Sequence, residues 1–156
     1  MTMNKQTTLC FLIKEDKVLL GMKKRGFGMG NWNGIGGKRH KTDKTIVETF
    51  LRETEEEIGV KPTEYKLMGK LKFIWEDKED WNQLCSVFLV TKWKGKPVET
   101  EEEKPKWWPI DKLPFNKMWK DDPTWLPAVL TGKKIMGKYF FDKENRIKKY
   151  EVKGGI

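Results

Sequence analysis

The sequence predicts an α+β fold in which α-helices pack on both sides of a mixed β-sheet. Short runs rich in β-branched and apolar residues, which are typical of strands, occur near the start, in the middle and at the end of the chain. Two segments carry helix signals, one between the early and middle strands and one after the middle strands. The chain has 156 residues and no internal repeat, linker or low-complexity segment, so we expect one domain over residues 1–156.

The first two predicted strands form a hairpin. Residues 7–13 and residues 18–22 are rich in β-branched and apolar side chains, and Glu15-Asp16 between them is a turn signal. A basic, glycine-rich segment follows at residues 23–30. A mobile connection is the simplest interpretation of that composition.

The first helix is predicted from its caps and from its apolar spacing. Thr45 and Glu48 have the spacing of a capping box, in which each side chain satisfies a free backbone N–H of the other residue. Gly59 is the residue expected just past the helix end. Residues suited to core packing recur between these caps at intervals of four, three and four positions: Val47, Leu51, Thr54 and Ile58.

Two further strand pairs are predicted in the rest of the chain. Residues 65–75 and residues 84–93 have strand composition and are joined by the acidic loop at residues 76–80. Residues 138–142 and residues 146–152 form the last hairpin.

A second helix is predicted to begin with Asp122 as its N-cap and Pro123 at its first position, and to run to Gly132. Ahead of it, residues 99–103 form an acidic cluster that includes four glutamates. A solvated loop is the simplest interpretation of most of that cluster.

The chain is organised around a group of carboxylates on the first helix. Glu53, Glu56 and Glu57 stand at i, i+3 and i+4, so their side chains share one side of the helix, away from the apolar positions. Carboxylate oxygens without Cys or His suit Mg²⁺ or Mn²⁺, and a bound cation removes the repulsion between them. The alternative is a solvated acidic helix face.

A glycine-rich loop at residues 34–38 precedes this helix. Glycines let the backbone approach a ligand closely, so we expect Gly37 and Lys38 to contact the substrate. A glycine loop, a capped helix and a helical carboxylate cluster in succession favour a phosphate–metal site.

Composition and charge narrow the function classes. The chain carries 32 Lys and Arg against 23 Asp and Glu, a net charge of +9 that fits a polyanionic partner without separating nucleic acid from nucleotide. His40 is the only histidine, which excludes a His-based zinc site and a Ser–His triad. Cys10 and Cys85 lie in apolar runs and are expected to be reduced core thiols. The apolar run at residues 9–13 is too short for a signal or a membrane span, so we expect a cytoplasmic protein.

Residues 37–60 resemble the Nudix box, usually written G-x5-E-x7-R-E-U-x-E-E-x-G-U with U aliphatic. The matching residues are Arg52, Glu53, Glu56, Glu57, Gly59 and Val60. Three features depart from the pattern: Lys44 stands where the first glutamate belongs, Gly37 lies one residue too far upstream, and Thr54 replaces an aliphatic residue. Asp43 is a candidate replacement for the missing glutamate. Because that glutamate mostly shapes the loop, we expect the metal site to be retained.

A wider resemblance links residues 19–28, 32–34, 95–99 and 114–122 to the oxidised purine nucleoside triphosphate hydrolases of animals, which are MutT homologues. It implies a Nudix fold and a site whose residues fall into two groups. The substrate group is Thr8, Lys23, Phe27, Asn33, Phe73, Trp119, Asp121 and Asp122, of which Phe27 and Phe73 wall the purine pocket. The metal group is the Gly36 carbonyl with Glu53, Glu56, Glu57 and Glu102.

The implied reaction is Mg²⁺-dependent hydrolysis of 8-oxo-dGTP or 2-hydroxy-dATP to the monophosphate and pyrophosphate, which would sanitise the nucleotide pool; Mn²⁺ is a possible substitute. A carboxylate of the helix, Glu57 or Glu53, would accept the proton of the attacking water. Asp121 and Asp122 repel each other if both ionise, so one is expected to keep a proton and read the purine edge. Helix capping is the alternative role for this pair.

Two other functions remain open at this point. The first is a Nudix hydrolase of another diphosphate, such as ADP-ribose or an RNA cap. The second is a catalytically silent, basic nucleic-acid-binding domain, against which the retention of Glu53, Glu56 and Glu57 argues. We expect a monomer that binds a small-molecule nucleotide, with no stable nucleic-acid partner and no membrane association.

Overall fold

The computed structural model describes residues 5–26 and 28–154, in which eight strands and two α-helices confirm the predicted α+β class. The strands are β1 Lys5–Lys14, β2 Lys17–Lys23, β3 Trp32–Asn33, β4 Lys61–Trp75, β5 Gln83–Lys94, β6 Glu103–Pro109, β7 Ile135–Phe141 and β8 Ile147–Gly154. The helices are α1 Ile46–Ile58 and α2 Asp122–Leu130, and 3-10 turns lie at Glu79–Trp81 and Phe115–Lys117.

The strands form one mixed sheet. Its order is β3-β2-β1-β5-β4-β7-β8, with β6 paired to β2. The β1–β5 and β4–β7 pairs are parallel, and the other pairs are antiparallel. Because successive residues of a strand point to opposite faces, Phe11 packs on the α2 side, whereas Cys10 and Leu12 pack on the α1 side. The sheet therefore lies between the two helices, as predicted.

The first hairpin opens soon after its turn, and this opening makes room for the glycine loop. β1 and β2 pair through only two residue pairs next to the turn, after which β2 pairs along its length with β6. The loop takes the vacated edge of β1: the Thr8 N–H donates to the Gly37 carbonyl at 2.9 Å, and Cys10 and Ile35 exchange hydrogen bonds of 2.6 and 3.0 Å. The loop is thus held against the sheet as a short extended segment.

The other predicted strand pairs are confirmed with shifted ends, since β4 begins at Lys61 instead of residue 65. The sequence analysis missed β6. Its Pro105 and Pro109 lack a backbone N–H and argue against a strand, but β6 is an edge strand that pairs only with β2, where proline is tolerated.

The caps of α1 are close to those predicted. The Thr45 hydroxyl accepts a hydrogen bond from the Glu48 N–H at 3.2 Å. The Glu48 carboxylate, however, accepts from the Lys44 N–H and not from the Thr45 N–H, so the box is displaced by one residue on that side. Gly59 ends the helix in the left-handed conformation, with φ of 73°.

The buried face of α1 differs in part from the predicted stripe. Thr54 and Ile58 are buried as expected, but Val47 and Leu51 are only half-buried. The largest core side chain of the helix is Phe50, whose ring stacks on Phe88 of β5 with centroids 4.2 Å apart. The buried face of the helix therefore includes Phe50 in place of the predicted Leu51.

The start of α2 corrects the predicted N-cap. Asp121 is the N-cap residue and Asp122 is the first residue of the helix, and neither side chain caps the backbone. Both side chains are instead buried in the protein. The helix ends at Leu130, two residues before the predicted end at Gly132.

The loop before α1 is fastened by an ion pair between Asp43 and Arg52. The guanidinium donates two hydrogen bonds to the carboxylate, at 3.1 Å from Nε and 2.8 Å from Nη2. Asp43 also accepts from the Thr49 hydroxyl and from the His40 N–H, each at 2.9 Å. Asp43 therefore holds the loop to α1, while the Lys44 side chain is exposed.

Both thiols are buried and unpaired, as expected for core cysteines. Burial raises the pKa of Cys10 and of Cys85 to about 12, so both stay protonated at neutral pH. Within residues 5–26 and 28–154, neither helix has the length and apolar character needed to cross a membrane.

We predict that Gly36→Ala lowers stability strongly. A Cβ at position 36 would lie 1.7 Å from the Thr8 carbonyl oxygen, a backbone atom that cannot move without breaking the loop from β1. Overpacking of this kind costs about 1–3 kcal/mol, which lowers Tm by roughly 2–12 °C at this chain length. Thermal unfolding followed by circular dichroism measures the effect. Gly154→Ala is the matched control, because no atom lies within 4 Å of a Cβ there, and an equal loss in both variants would contradict the close approach.

We predict that Asp43→Asn lowers Tm and that Lys44→Glu does not, although Lys44 stands at the position of the box glutamate. The Arg52 hydrogen bonds hold the pKa of Asp43 below its ordinary value, so the stabilisation is complete above the unfolded pKa and is lost as pH falls through the folded one. Wild-type Tm should therefore fall more steeply than that of Asp43→Asn below about pH 5. Parallel curves, or a large gain of Tm or turnover in Lys44→Glu, would contradict this assignment.

Candidate active site

A cleft of about 310 Å³ opens where β1 and β2 diverge. Its walls come from β1, β2, the glycine loop, the end of β4, the start of β5 and the start of α2. The predicted substrate residues that line it are Thr8, Lys23, Asn33, Gly37, Lys38, Phe73, Trp119, Asp121 and Asp122. Gly36, predicted as a metal ligand, lines it as well. Phe27 lies outside the described residues. The cleft therefore brings together predicted residues that are up to 114 positions apart, from Thr8 to Asp122.

Two adjacent buried carboxyls close one end of the cleft. Asp121 is 5% exposed and Asp122 is 2% exposed. Trp125 Nε1–H donates to Asp121 Oδ2 at 2.7 Å and stabilises the ionised form of that carboxyl. Asp122 Oδ2 has no hydrogen-bond partner among the described residues. The end of the cleft thus presents one anchored carboxyl and one with a free oxygen.

The protonation of this pair follows from its burial. Burial raises the pKa of Asp121, opposed by the Trp125 hydrogen bond, and raises the pKa of Asp122 further because the charge of Asp121 lies beside it. Both pKa shifts favour a protonated carboxyl, most strongly at Asp122, which is the direction expected from the sequence. A carboxylic acid next to a carboxylate offers one donor and one acceptor side by side.

Aromatic side chains form the walls near this pair. Phe73 is buried and contacts Tyr139 and Phe141 of β7, with ring centroids 5.6 and 6.1 Å away. Trp119 is half-buried and lines the cleft from the segment that leads into α2. The sequence analysis missed several lining residues, because alternation along a strand shows which side chains point inward but not which strands meet. They include Trp75, Gln83, Glu103, Phe141 and Asn145.

The α1 carboxylates lie beside the glycine loop, and their exposure corrects the sequence analysis. Glu53 is only 7% exposed and is packed against Gly37, where a Cβ would lie 2.2 Å from its carboxyl carbon. Glu57 is half-buried, and Glu56 is exposed. The three carboxylates therefore do not share a free, solvent-facing side, since the loop covers Glu53.

The pKa values of the α1 carboxylates are shifted by burial and by repulsion between neighbouring charges. Burial and the charges of Glu53 and Glu102 raise the pKa of Glu57 to about 7. Burial also raises the pKa of Glu53, although Arg52 opposes it by donating to Glu53 Oε1 at 2.9 Å. The same Arg52 nitrogen donates to Glu56 Oε2 at 3.2 Å.

Two adjacent glutamates at the start of β6 differ in burial and in their charged neighbours. Glu102, the predicted metal ligand, is half-buried and paired with Arg25, which lowers the pKa of Glu102. Glu103 points the other way, is 9% exposed and lines the cleft. Burial and the charge of Glu57 raise the pKa of Glu103 to about 7. Recognising β6 as a strand would have shown that these neighbours point to opposite faces.

These residues fit a divalent cation in chemistry. Within residues 5–26 and 28–154, no three His, Cys, Asp or Glu side chains are gathered closely enough to hold an ion, because Arg52 and Arg25 hold three of the carboxylates. The donors are nonetheless all oxygen, and carboxylates that raise one another's pKa are those that a hard cation stabilises.

Comparison with known proteins places the chain in a family. The family model described as NUDIX domain matches residues 3–129. The chain is 37% identical over 149 residues to an oxidized purine nucleoside triphosphate hydrolase of Danio rerio, covering 96% of this chain and 94% of that protein. It is 35% identical over 153 residues to the protein of the same name from Mus musculus, covering 98% and 97%.

The fold is similar to that of a solved bacterial protein. The crystal structure of a MutT protein from Bacillus halodurans superposes with a TM-score of 0.83 and 25% identity, and the match covers 95% of this chain and 97% of that one. The domain match, the identity over nearly the whole chain and the shared fold agree. The chain therefore belongs to the Nudix family.

Proposed function

We propose that this chain hydrolyses oxidised purine nucleoside triphosphates, such as 8-oxo-dGTP and 2-hydroxy-dATP, to the monophosphate and pyrophosphate with Mg²⁺ as cofactor. The observation that carries the proposal is a cleft with a buried carboxyl pair, Asp121 and Asp122, at one end and the glycine loop at the other, against which Glu53 of α1 packs. The names of the relatives from Danio rerio and Mus musculus support the same substrate class.

The base end suits a purine whose donor pattern has changed. Oxidation to 8-oxoguanine or 2-hydroxyadenine alters which atoms of the purine donate and which accept hydrogen bonds. The protonated Asp122 can donate one hydrogen bond while Asp121 accepts another, and Asn33 adds an amide that can do either. Trp119 offers a face on which the base can stack, which is worth about 1–3 kcal/mol per base.

The loop end suits the phosphates. Gly36 and Gly37 have no Cβ, so their backbone can lie close to a ligand, and Lys23 and Lys38 supply positive charge beside it. Nudix hydrolases generally need divalent metal ions. The ligands we assign are the Gly36 carbonyl, Glu53, Glu56, Glu57 and Glu102.

These ligands would hold a metal ion, which would supply neutralisation of the phosphate charge and a lower pKa for the attacking water. The proton of the attacking water then needs an acceptor among the helix carboxylates. We assign this role to Glu57 or Glu53, because both are partly desolvated and lie beside the loop. Arg52, which contacts Glu53 and Glu56, orients the carboxylates and fixes them to the Asp43 loop.

A substrate panel tests the proposal. The panel contains 8-oxo-dGTP, 2-hydroxy-dATP, dGTP, ADP-ribose and an RNA cap analogue, each with Mg²⁺, with Mn²⁺ and with EDTA, and the products are separated and quantified by chromatography. We expect fast hydrolysis of the two oxidised nucleotides, slower hydrolysis of dGTP and none with EDTA. Faster turnover of ADP-ribose or of the cap, or no turnover of any compound, would overturn the proposal.

We predict that Glu56→Gln and Glu57→Gln each lower kcat by at least about two orders of magnitude, the scale typical of losing an acid–base or metal group. The exposed Glu55 of the same helix supplies the control, because Glu55→Gln removes an equal charge without touching the cleft. Turnover is measured at saturating Mg²⁺. Near wild-type turnover of either site variant would show that the carboxylates are assigned wrongly.

We predict that Asp121→Asn removes the preference for oxidised bases. The change replaces an acceptor oxygen with a donor and ends the sharing of a proton, so one buried contact to the base is lost. Such a loss costs about 1–3 kcal/mol, or roughly 5–150-fold in kcat/KM. The measurement is kcat/KM on 8-oxo-dGTP, 2-hydroxy-dATP and dGTP, with a melting curve.

The control for that prediction is Asp111→Asn, which removes the same charge from an exposed position. In Asp121→Asn the amide oxygen of the new side chain can still accept from Trp125, so we expect Tm to change little. Equal losses on all three nucleotides, or no loss on any, would show that Asp121 does not read the base.

A further inference from the structure

Glu103 is a buried carboxyl with an unused oxygen inside the cleft. Its side chain is 9% exposed, it lines the cleft, and its Oε2 has no hydrogen-bond partner among the described residues. A buried polar atom without a partner destabilises the fold and is rare in folded proteins. A buried oxygen without a partner inside a binding cleft indicates that the ligand supplies the missing hydrogen-bond partner.

The position of Glu103 is fixed from two sides. The Thr100 hydroxyl donates to the Glu57 carbonyl at 2.9 Å and accepts from the Glu103 N–H at 3.2 Å, which ties the start of β6 to the end of α1. On β2, the Glu103 carboxyl lies over Gly21, where a Cβ would be 2.8 Å from Oε2. Gly21 is in turn the pairing partner of Asn33 on β3.

These contacts place Glu103 between the two ends of the cleft. Glu57, tied to it through Thr100, is one of the carboxylates that we assign to the phosphate end, and Asn33, across from Gly21, is assigned to the base end. In a nucleoside triphosphate, the part between the base and the phosphates is the sugar. If the proposed function holds, Glu103 therefore faces the sugar.

The chemistry of the sugar matches the free oxygen. Pentose hydroxyls are neutral donors, and carboxyl oxygens are the acceptors that read a ribose hydroxyl in dinucleotide-binding proteins. Either protonation state of Glu103 can accept such a bond. Lys23, the cross-strand neighbour of Glu103 on β2, offsets its charge beside an anionic substrate.

We propose that Glu103 is a specificity-determining residue that accepts a hydrogen bond from a sugar hydroxyl of the substrate. The proposal rests on the proposed function, and it assigns to Glu103 a role separate from the metal ligands. Its consequence is that hydrolysis depends on one hydroxyl of the sugar, at the 2′ or the 3′ position, as well as on the oxidised base.

The test measures kcat/KM on 8-oxo-GTP, 8-oxo-dGTP and 8-oxo-ddGTP. In the wild-type enzyme, loss of the contacted hydroxyl should lower kcat/KM by about 5- to 150-fold. This decrease, the step, occurs between 8-oxo-GTP and 8-oxo-dGTP if Glu103 contacts the 2′ hydroxyl. It occurs between 8-oxo-dGTP and 8-oxo-ddGTP if Glu103 contacts the 3′ hydroxyl. Glu103→Leu should remove that step, and Glu103→Gln, which keeps an acceptor, should retain most of it.

Glu101→Leu is the matched control, since it makes the same change at an exposed position two residues away and should keep the wild-type step. Binding of Mn²⁺ to each variant, followed by electron paramagnetic resonance without substrate, should match the wild type. The proposal is overturned if the wild type treats the three substrates alike, if Glu103→Leu lowers all three equally, or if Glu103→Gln weakens Mn²⁺ binding tenfold. Failure of the wild type on all three 8-oxo nucleotides would instead refute the proposed function, and the sugar contact with it.

Discussion

The ion pair between Arg52 and Asp43 is the contact that ties the glycine loop to the first helix. One guanidinium binds the Asp43 carboxylate with two nitrogens, donates to the Lys38 carbonyl at 3.2 Å, and reaches Glu53 and Glu56 with its third nitrogen. The glycine loop, the start of α1 and two carboxylates therefore share one anchor. Because the loop also occupies the edge of β1 that β2 leaves free, the position of the phosphate end is fixed by the sheet topology.

Burial supplies the chemistry at both ends of the cleft. Desolvation makes the second charge of the Asp121–Asp122 pair unfavourable, so the pair holds a proton that can be offered to a base. Desolvation also raises the pKa of Glu57, a carboxylate that would be an ordinary solvated acid on an open helix face. The two ends serve different chemistry with the same residue types, and the difference lies in their neighbours: Trp125 at one end and the arginines at the other.

Sequence reasoning predicted the fold class and the order of most elements, because periodicity and caps are local properties, and the resemblance to a known family supplied many of the residues that line the cleft. It failed where the burial or orientation of a side chain depends on an element that is distant in sequence. Phe50 is central because Phe88 of β5 lies opposite, and Glu53 is buried because the loop returns over it. Asp122 has the sequence position of a helix cap, but the pair is buried beside the cleft and Trp125 donates a hydrogen bond to Asp121. Glu102 and Glu103 became distinguishable only once β6 was seen to pair with β2.

The central claim is that a buried acid pair in a Nudix cleft recognises an oxidised purine. The most direct measurement is calorimetric binding of the products 8-oxo-dGMP and dGMP without metal, since it isolates recognition of the base from the chemistry at the phosphates. The account predicts that 8-oxo-dGMP binds at least about tenfold more tightly, the equivalent of one good hydrogen bond at about 1.4 kcal/mol. Equal affinities for the two products would contradict it.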